Sequence, residues 1–507
     1  MHPPIISHPG AEYGPSARNY QGIPGIEHTA GGRLWATWYA GKVWEERFNY
    51  AVAATSGDNG KTWTDVSFVI DPDGDGPLRA CDSCLWLDPD GKLWLFWWLN
   101  EKVWSGTDET KLSVTMAMTT ANPDAEKPDW SKPLPLFTGV MLNKPIVTSW
   151  GDWLAPVAIW GSDKSCRVMV SKNKGASWEP RGAATGKGIE HMIVERKDKT
   201  LWMLARTGYG IGESTSNDRG KTWTDLKDYQ RHAVSRFHIG RLRSGNLLLI
   251  RHGAINEKSE RDRLTAYLSD DDGRKWKGGL LLDERSRTSY PDATQAADGT
   301  IHAIYDYSRH LEKQILMATF TEEDVLAGRL TSSVGRVKVL VNQATGENPC
   351  VGRLGKGPAL RTDSAAAAIA AGKPGAKLRC EVGEIRPLER CADVFSDGDY
   401  IVRHLPKAPG KLFDRNRQFI FAPKGQTRAV CVAPGMAYVF TPTPDRNTES
   451  VAGELLARGF VKTSVEEFDF IFKTNEKART ENVCSVYQKE LKAGETVAFG
   501  KWGVLVF

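Results

Sequence analysis

No apolar run in this 507-residue chain approaches the roughly 20 residues a membrane-spanning helix needs, so no span is expected. The chain also lacks a block of Lys and Arg. With 67 basic and 62 acidic residues the formal charge is only +5, which argues against a nucleic-acid partner. A local group of arginines could still hold a small anion. Cysteine is scarce, at 8 residues. Cys81 and Cys84 form a lone C-x-x-C with no second pair or histidine pair to complete a zinc site, so neither metal nor cofactor is expected. Cys380, Cys391, Cys431 and Cys484 fit two disulfides or four buried thiols equally well. The start, Met1-His2-Pro3-Pro4, carries no basic segment followed by an apolar one. The expectation is a secreted, periplasmic or cell-surface protein whose export signal has been trimmed, with a cytoplasmic one as the alternative. Oligomeric state has no signature.

What the chain does have is one short motif in four copies. Ser56-Gly57-Asp58-Asn59-Gly60-Lys61-Thr62-Trp63 recurs at Ser171–Trp178, Ser216–Trp223 and Ser269–Trp276, with Asn173 for Asp in the second copy. The pattern Ser-x-Asp-x-Gly-x-x-Trp is a hairpin tip. Asp or Asn hydrogen-bonds its own backbone, Gly takes positive φ, and Trp packs the turn onto a sheet. Repeats in register set the architecture. Trp is abundant, at 18 residues, which suits a propeller core and, where exposed, stacking on sugars.

Short strands fill residues 15–340: Leu34 to Tyr39, Lys92 to Trp98, Leu201 to Leu204, Asn246 to Ile250 and Ile301 to Tyr305. Most follow a turn such as Asp-Gly-Lys or Ser-Gly-Asn, a hairpin signature. Six units of roughly 50 residues fit there, so the sequence predicts an all-β fold with a six-bladed β-propeller over 1–345. A β-sandwich would not need the repeated turn. Thr321 to Leu326 predicts a capped short helix. Residues 346–377, rich in Gly, Pro and Ala, read as a linker or surface excursion. Strands without the repeat resume over 378–507, a separate β-rich accessory domain of sandwich type.

Two segments carry chemistry. Gly188-Ile189-Glu190-His191-Met192-Ile193-Val194-Glu195 is followed by a strand that ends in Arg206, and Ser289-Tyr290-Pro291 precedes the turn Asp298-Gly299-Thr300 and the strand ending in Asp306. With the repeated turns, these segments resemble the bacterial exo-sialidases (neuraminidases), Asp-box or BNR-repeat propellers, over roughly residues 18–320. The resemblance implies that Glu190 and Arg206, spaced by 16, match the sialidase catalytic Glu and its arginine. It implies that Tyr290 is the nucleophile, and that Arg261, or Arg263 after one residue of slippage, is the third arginine of the carboxylate-binding triad. The substrate would be a terminal sialic acid on a glycan such as a mucin or glycoprotein cap. The chemistry is coherent. Arginine forks hold a carboxylate bidentately. A neutral Tyr can approach an anomeric carbon that bears a carboxylate, which makes sialidases an exception to the two-carboxylate rule. Its ordinary pKa of about 10 calls for a base, here Glu190.

The chain departs from the pattern at two points. Sialidases open with Tyr-Arg-Ile-Pro, whereas this chain has Tyr20-Gln21-Gly22-Ile23-Pro24, with Gln21 at the expected arginine and one inserted Gly. Arg18 or Arg79 are the candidate substitutes. The acid of the family is an Asp ahead of the first turn motif, but Val43 to Tyr50 contains none. Glu45 is the first candidate, then Glu46, then Asp82, the last also a candidate substrate contact. His191, His238 and Asp292 are further candidate substrate contacts. A retaining course through Tyr290 and an inverting one through water both stay open. The reading is an exo-α-sialidase. The alternatives are a glycosidase or lyase for another acidic sugar, or a non-catalytic sugar-binding propeller.

Overall fold

Each copy of the turn motif joins the third and fourth strands of a sheet, for a local reason. In the first copy Ser56 Oγ donates to Asp58 Oδ1 and accepts from Gly60 N at 2.9 Å, while Asp58 Oδ1 accepts from Thr62 N at 2.9 Å. These bonds hold Asn59 and Gly60 both left-handed, at φ 59° and 74°. Ser171, Ser216 and Ser269 take the same bond from Gly175, Gly220 and Gly273. Asn173 accepts from Ser177 N as an Asp would. The turn glycines also lie against a neighbouring sheet. A Cβ on Gly175 would sit 2.7 Å from Trp94, and one on Gly273 2.5 Å from Trp202.

The computed structural model describes residues 5–41, 45, 49–74, 78–100, 113–159, 165–347, 375–387, 400–402, 418–444, 449–463, 465, 468–469, 471–473 and 483–507. These fall into two compact units, 5–347 and 375–507. The expected linker at 346–377 lies almost wholly outside the described residues.

The first unit is a β-propeller. Among its described residues six antiparallel sheets follow one another, spanning 5–70, 79–138, 146–184, 189–231, 238–283 and 288–343: sheets 1 to 6. Sheet 1 has five strands and the others four; in sheet 1, Ile5–Ile6 pairs beside Phe68–Ile70 at the outer edge. Each inner strand is the first of its sheet, except in sheet 1, where it is Tyr20–His28. Sheet 6 is bonded back to sheet 1: Ile23 N donates to Asp306 and Ile26 N to Asp292, each at 2.9 Å. Trp35, Trp38, Trp97 and Trp202 are fully buried, so in this unit they build core. The short helix Glu322–Ala327 has the expected box, with Thr321 and Asp324 capping each other.

Two cations stitch the centre. Arg236, fully enclosed, donates to the carbonyls of Leu142, Pro24, Tyr290 and Pro291, joining sheets 1 and 6 to the segment before sheet 3. Lys144 donates to the carbonyls of Ile26 and Leu85 and pairs with Glu27 at 2.8 Å and Asp292 at 3.4 Å. Lys144→Met would leave Glu27, a carboxylate with little accessible surface, without its cation, and Asp292 with His238 alone as ion-pair partner. The expected loss is about 3–5 kcal/mol of stability, read as a lower melting temperature. Adding Asp292→Asn should return part of it.

The second unit is also β-rich: its described residues form sheets of three, seven and two strands and one helix, Ala452–Ala457. Its core gathers Ile420, Val439, Leu455, Phe499 and Leu505. Cys380 and Cys431 are free thiols and Cys484 is buried; Cys391 lies outside the described residues. Among the described residues no helix is long and apolar enough to cross a membrane.

Candidate functional site

The inner strand Ile189–Glu195 and its neighbour Leu201–Arg206 are antiparallel, and Ile189 pairs with Arg206. This register is why a spacing of 16 brings Glu190 and Arg206 together. A bulge shifts the pairing between Ile189 and Met192, and Glu190 sits in it at φ 53°. Asn143 Nδ2 donates to the carbonyls of Glu190 and His191 and fixes the bulge. The inner strand Thr288–Gln295 has the same bulge, with Tyr290 at φ 54°.

The three side chains meet. Tyr290 Oη donates to Glu190 Oε1 at 2.6 Å. Arg206 Nη1 donates to both Glu190 oxygens, at 2.9 and 3.0 Å, and to Tyr290 Oη at 2.9 Å. Arg206 Nε is buried without a partner among the described residues. Burial alone would push the Glu190 carboxyl up, but Arg206 and the Tyr290 hydroxyl outweigh it and hold it below its ordinary value. Burial, then Glu190, pushes the Tyr290 phenol up, against Arg206, Arg261 and Arg309. The phenol is therefore neutral and its hydrogen bond already points at a base.

Arginines surround the ring. The guanidinium carbons of Arg309, Arg236 and Arg261 lie 4.4, 5.3 and 5.6 Å from the Tyr290 centroid. Arg261 spends one donor on the carbonyl of Val234 at 3.1 Å. Its pKa is lowered, chiefly by burial, with Arg309 and Arg206 pushing the same way. Arg309 and Arg236 were missed in the sequence. Arg309 donates to Asp306, to Glu45 at 2.9 Å and to Ser289 at 3.0 Å. The one signal for it was Gly22. A Cβ there would stand 2.7 Å from Arg309 Cδ, so the missing side chain leaves the room that Arg309 fills.

The other candidates lie as follows. Gln21 is turned into the junction of sheets 1 and 6, bonded to the Lys313 carbonyl and Trp38. Arg18 is buried on Tyr13, Asp65 and Asn342, away from Tyr290. Arg79 is buried 5.8 Å over the Tyr39 ring. Arg263 is exposed and paired with Glu257. His191 bonds the Arg167 carbonyl, and burial lowers its pKa to about 4. His238 and Asp292 pair at 3.3 Å and line a cavity of about 760 Å³ at the other end of the inner strands, together with Glu27, Lys144 and Glu195. Asp82 follows Cys81, which packs in one cluster with Tyr290, and Glu45 is bonded to Arg309, which lies over the Tyr290 ring. Glu45 also accepts from Tyr20 Oη at 3.3 Å; Glu46 lies outside the described residues.

Gly22→Ala tests whether Arg309 serves this site. Its φ is not in the left-handed region and the three atoms nearest the added methyl all belong to Arg309, so the methyl acts first on Arg309. The expected outcome is at least roughly a tenfold fall in kcat/KM for a carboxylate-bearing substrate, the scale of one weakened charged contact, with a lower melting temperature as well, because the displaced Arg309 also holds Asp306, Glu45 and Ser289.

Comparison with known proteins agrees with this architecture. The Hadza microbial sialidase Hz136 superposes with a TM-score of 0.50 at 20% identity, over 60% of this chain and 66% of its own length. The intramolecular trans-sialidase of Ruminococcus gnavus gives 0.48 at 17% identity, over 62% and 97%. The Trypanosoma rangeli sialidase gives 0.45 at 13%, over 97% and 91%. At such identities the likeness to the first is one of fold. Curated proteins give no match. The BNR repeat-like domain matches residues 32–303, more than half of the chain. The chain thus belongs to the BNR repeat-like family, on a sialidase-like β-propeller.

Proposed function

We propose that this chain is an exo-α-sialidase that releases terminal sialic acid from glycans without a metal. The observation that carries the reading is the Tyr290–Glu190 hydrogen bond of 2.6 Å with Arg206 across both. Binding alone gives no reason to bury a neutral phenol against a carboxylate. A covalent mechanism does: the Tyr290 oxygen attacks the anomeric carbon while Glu190 takes its proton. Arg206, Arg261 and Arg309 then supply positive charge for the substrate carboxylate on the same carbon. Arg309 takes the part that the resemblance assigned to the arginine missing at residues 21–22. Arg236 carries the backbone of Tyr290 and Pro291 from below.

The test is fluorophore release from a 2-keto acid glycoside beside neutral and uronic acid glycosides. Release from the first alone supports the proposal. Release from the uronic acid glycoside alone assigns the site to another acidic sugar, and no release from any assigns it to binding.

A further inference from the structure

Among the described residues, four of the six inner strands carry a bulge in the pairing with their neighbour. The pairing shifts between Gly22 and Gly25, Cys81 and Cys84, Ile189 and Met192, and Ser289 and Asp292. Inside each bulge one non-glycine residue adopts a left-handed backbone: Ile23 at φ 58°, Asp82 at 50°, Glu190 at 53° and Tyr290 at 54°. Such residues cost of order 1–3 kcal/mol each and gather where function keeps them. Bulges re-aim side chains. Two of the four, Glu190 and Tyr290, are the hydrogen-bonded pair. Ile23 packs in one apolar cluster with Tyr290 and Cys81. Asp82 is the remaining ionisable member.

We infer that Asp82 is the group that gives a proton to the leaving oxygen and later takes one from water, an assignment that rests on the reaction proposed above. Among the described residues Asp82 makes no ion pair, although Arg79, Glu45, Glu190 and Arg236 all act on it electrostatically. Glu45 differs: it is held by Arg309 at 2.9 Å and by the Tyr20 hydroxyl, which is the setting of an acceptor. Asp82 is also buried, 6% exposed. Burial first, then Glu45 and Glu190, raises its pKa to about 7 against Arg79 and Arg236. A carboxyl poised there carries its proton in about half of the molecules at neutral pH and can both give and retake it. In the first step the Tyr290 oxygen bonds the anomeric carbon and its proton passes to Glu190. The glycosidic C–O bond breaks and the departing oxygen takes the proton of Asp82. In the second step water attacks the same carbon and loses a proton to Asp82. The Tyr290–carbon bond breaks, and the phenolate recovers its proton from Glu190.

The experiment compares a 2-keto acid glycoside of an alkyl alcohol with one of an activated phenol. Asp82→Asn should cost roughly 10²–10⁴ in kcat/KM on the alkyl glycoside and at most about tenfold on the aryl one. The alkaline fall of kcat/KM near pH 7 should vanish with it. Asp82→Gly should behave likewise and regain activity in formate. Asn and Gly both tolerate positive φ, so failure of both variants to fold would make the carboxylate structural and overturn the inference. Equal losses on the two glycosides, or a leaving-group-dependent loss in Glu45→Gln with Asp82→Asn unaffected, would also overturn it. A parent protein inactive on both glycosides would refute the reaction and the inference together.

Discussion

Tyr290→Phe is expected to fold like the parent and to lose at least about three orders of magnitude in turnover, as when a covalent step is abolished. The ring is buried among Ile23, Cys81, Leu142 and Trp98, and Phe keeps those contacts. What goes is one oxygen that donates to Glu190 and accepts from Arg206. The Glu190–Arg206 ion pair at 2.9 Å survives, so no buried charge is stranded. The stability cost should be that of one hydrogen bond, roughly 1 kcal/mol, a shift of a few degrees at most. A fluorinated 2-keto acid glycosyl donor with a good leaving group should label Tyr290 in the parent and leave the variant unlabelled. The product first formed should be the α-anomer. Appearance of the β-anomer first, with no label trapped, would mean that water attacks directly and that the enzyme inverts.

The parts of this site that were legible in the sequence are those that local geometry controls. The turn motif forms within eight residues through bonds such as Gly60 N to Ser56 Oγ, so its chemistry reads without any tertiary context. Glu190 and Arg206 lie on adjacent strands of one hairpin, where sequence spacing converts directly into distance. Closure of the ring has no such local record. Arg309 reaches the site because sheet 6 returns to sheet 1, 287 positions from Gly22, and its only trace was a glycine in an unexpected place. Closeness in sequence misleads for the same reason. Asp292 is two residues past Tyr290, yet the bulge ends between them and Asp292 runs down the inner strand to Lys144 and His238. One-residue register decides Gln21, which faces Trp38 and Lys313, while Gly22 faces Arg309. Composition left disulfides and thiols level, and the structure gives Cys380 and Cys431 as thiols.

Arg206→Ala should lower kcat/KM by a few kcal/mol in transition-state terms, roughly 10²–10⁴-fold. Two losses combine. The substrate carboxylate loses a charge-assisted contact, and Glu190 loses the cation that outweighs its burial. Without Arg206 the Glu190 pKa must rise, because burial is the largest influence on it and pushes that way. A base with a raised pKa is protonated over more of the acidic range. The acid limb of kcat/KM should therefore move to higher pH, and part of the lost activity should return under alkaline conditions. Arg206→Lys should restore the position of the acid limb better than it restores KM. An ammonium can neutralise Glu190 but cannot span Glu190, Tyr290 and a carboxylate as the fork does. A pH profile and KM measured on all three proteins separate the two roles. An unmoved acid limb in Arg206→Ala would confine Arg206 to substrate binding, and full activity in both variants would remove it from the site.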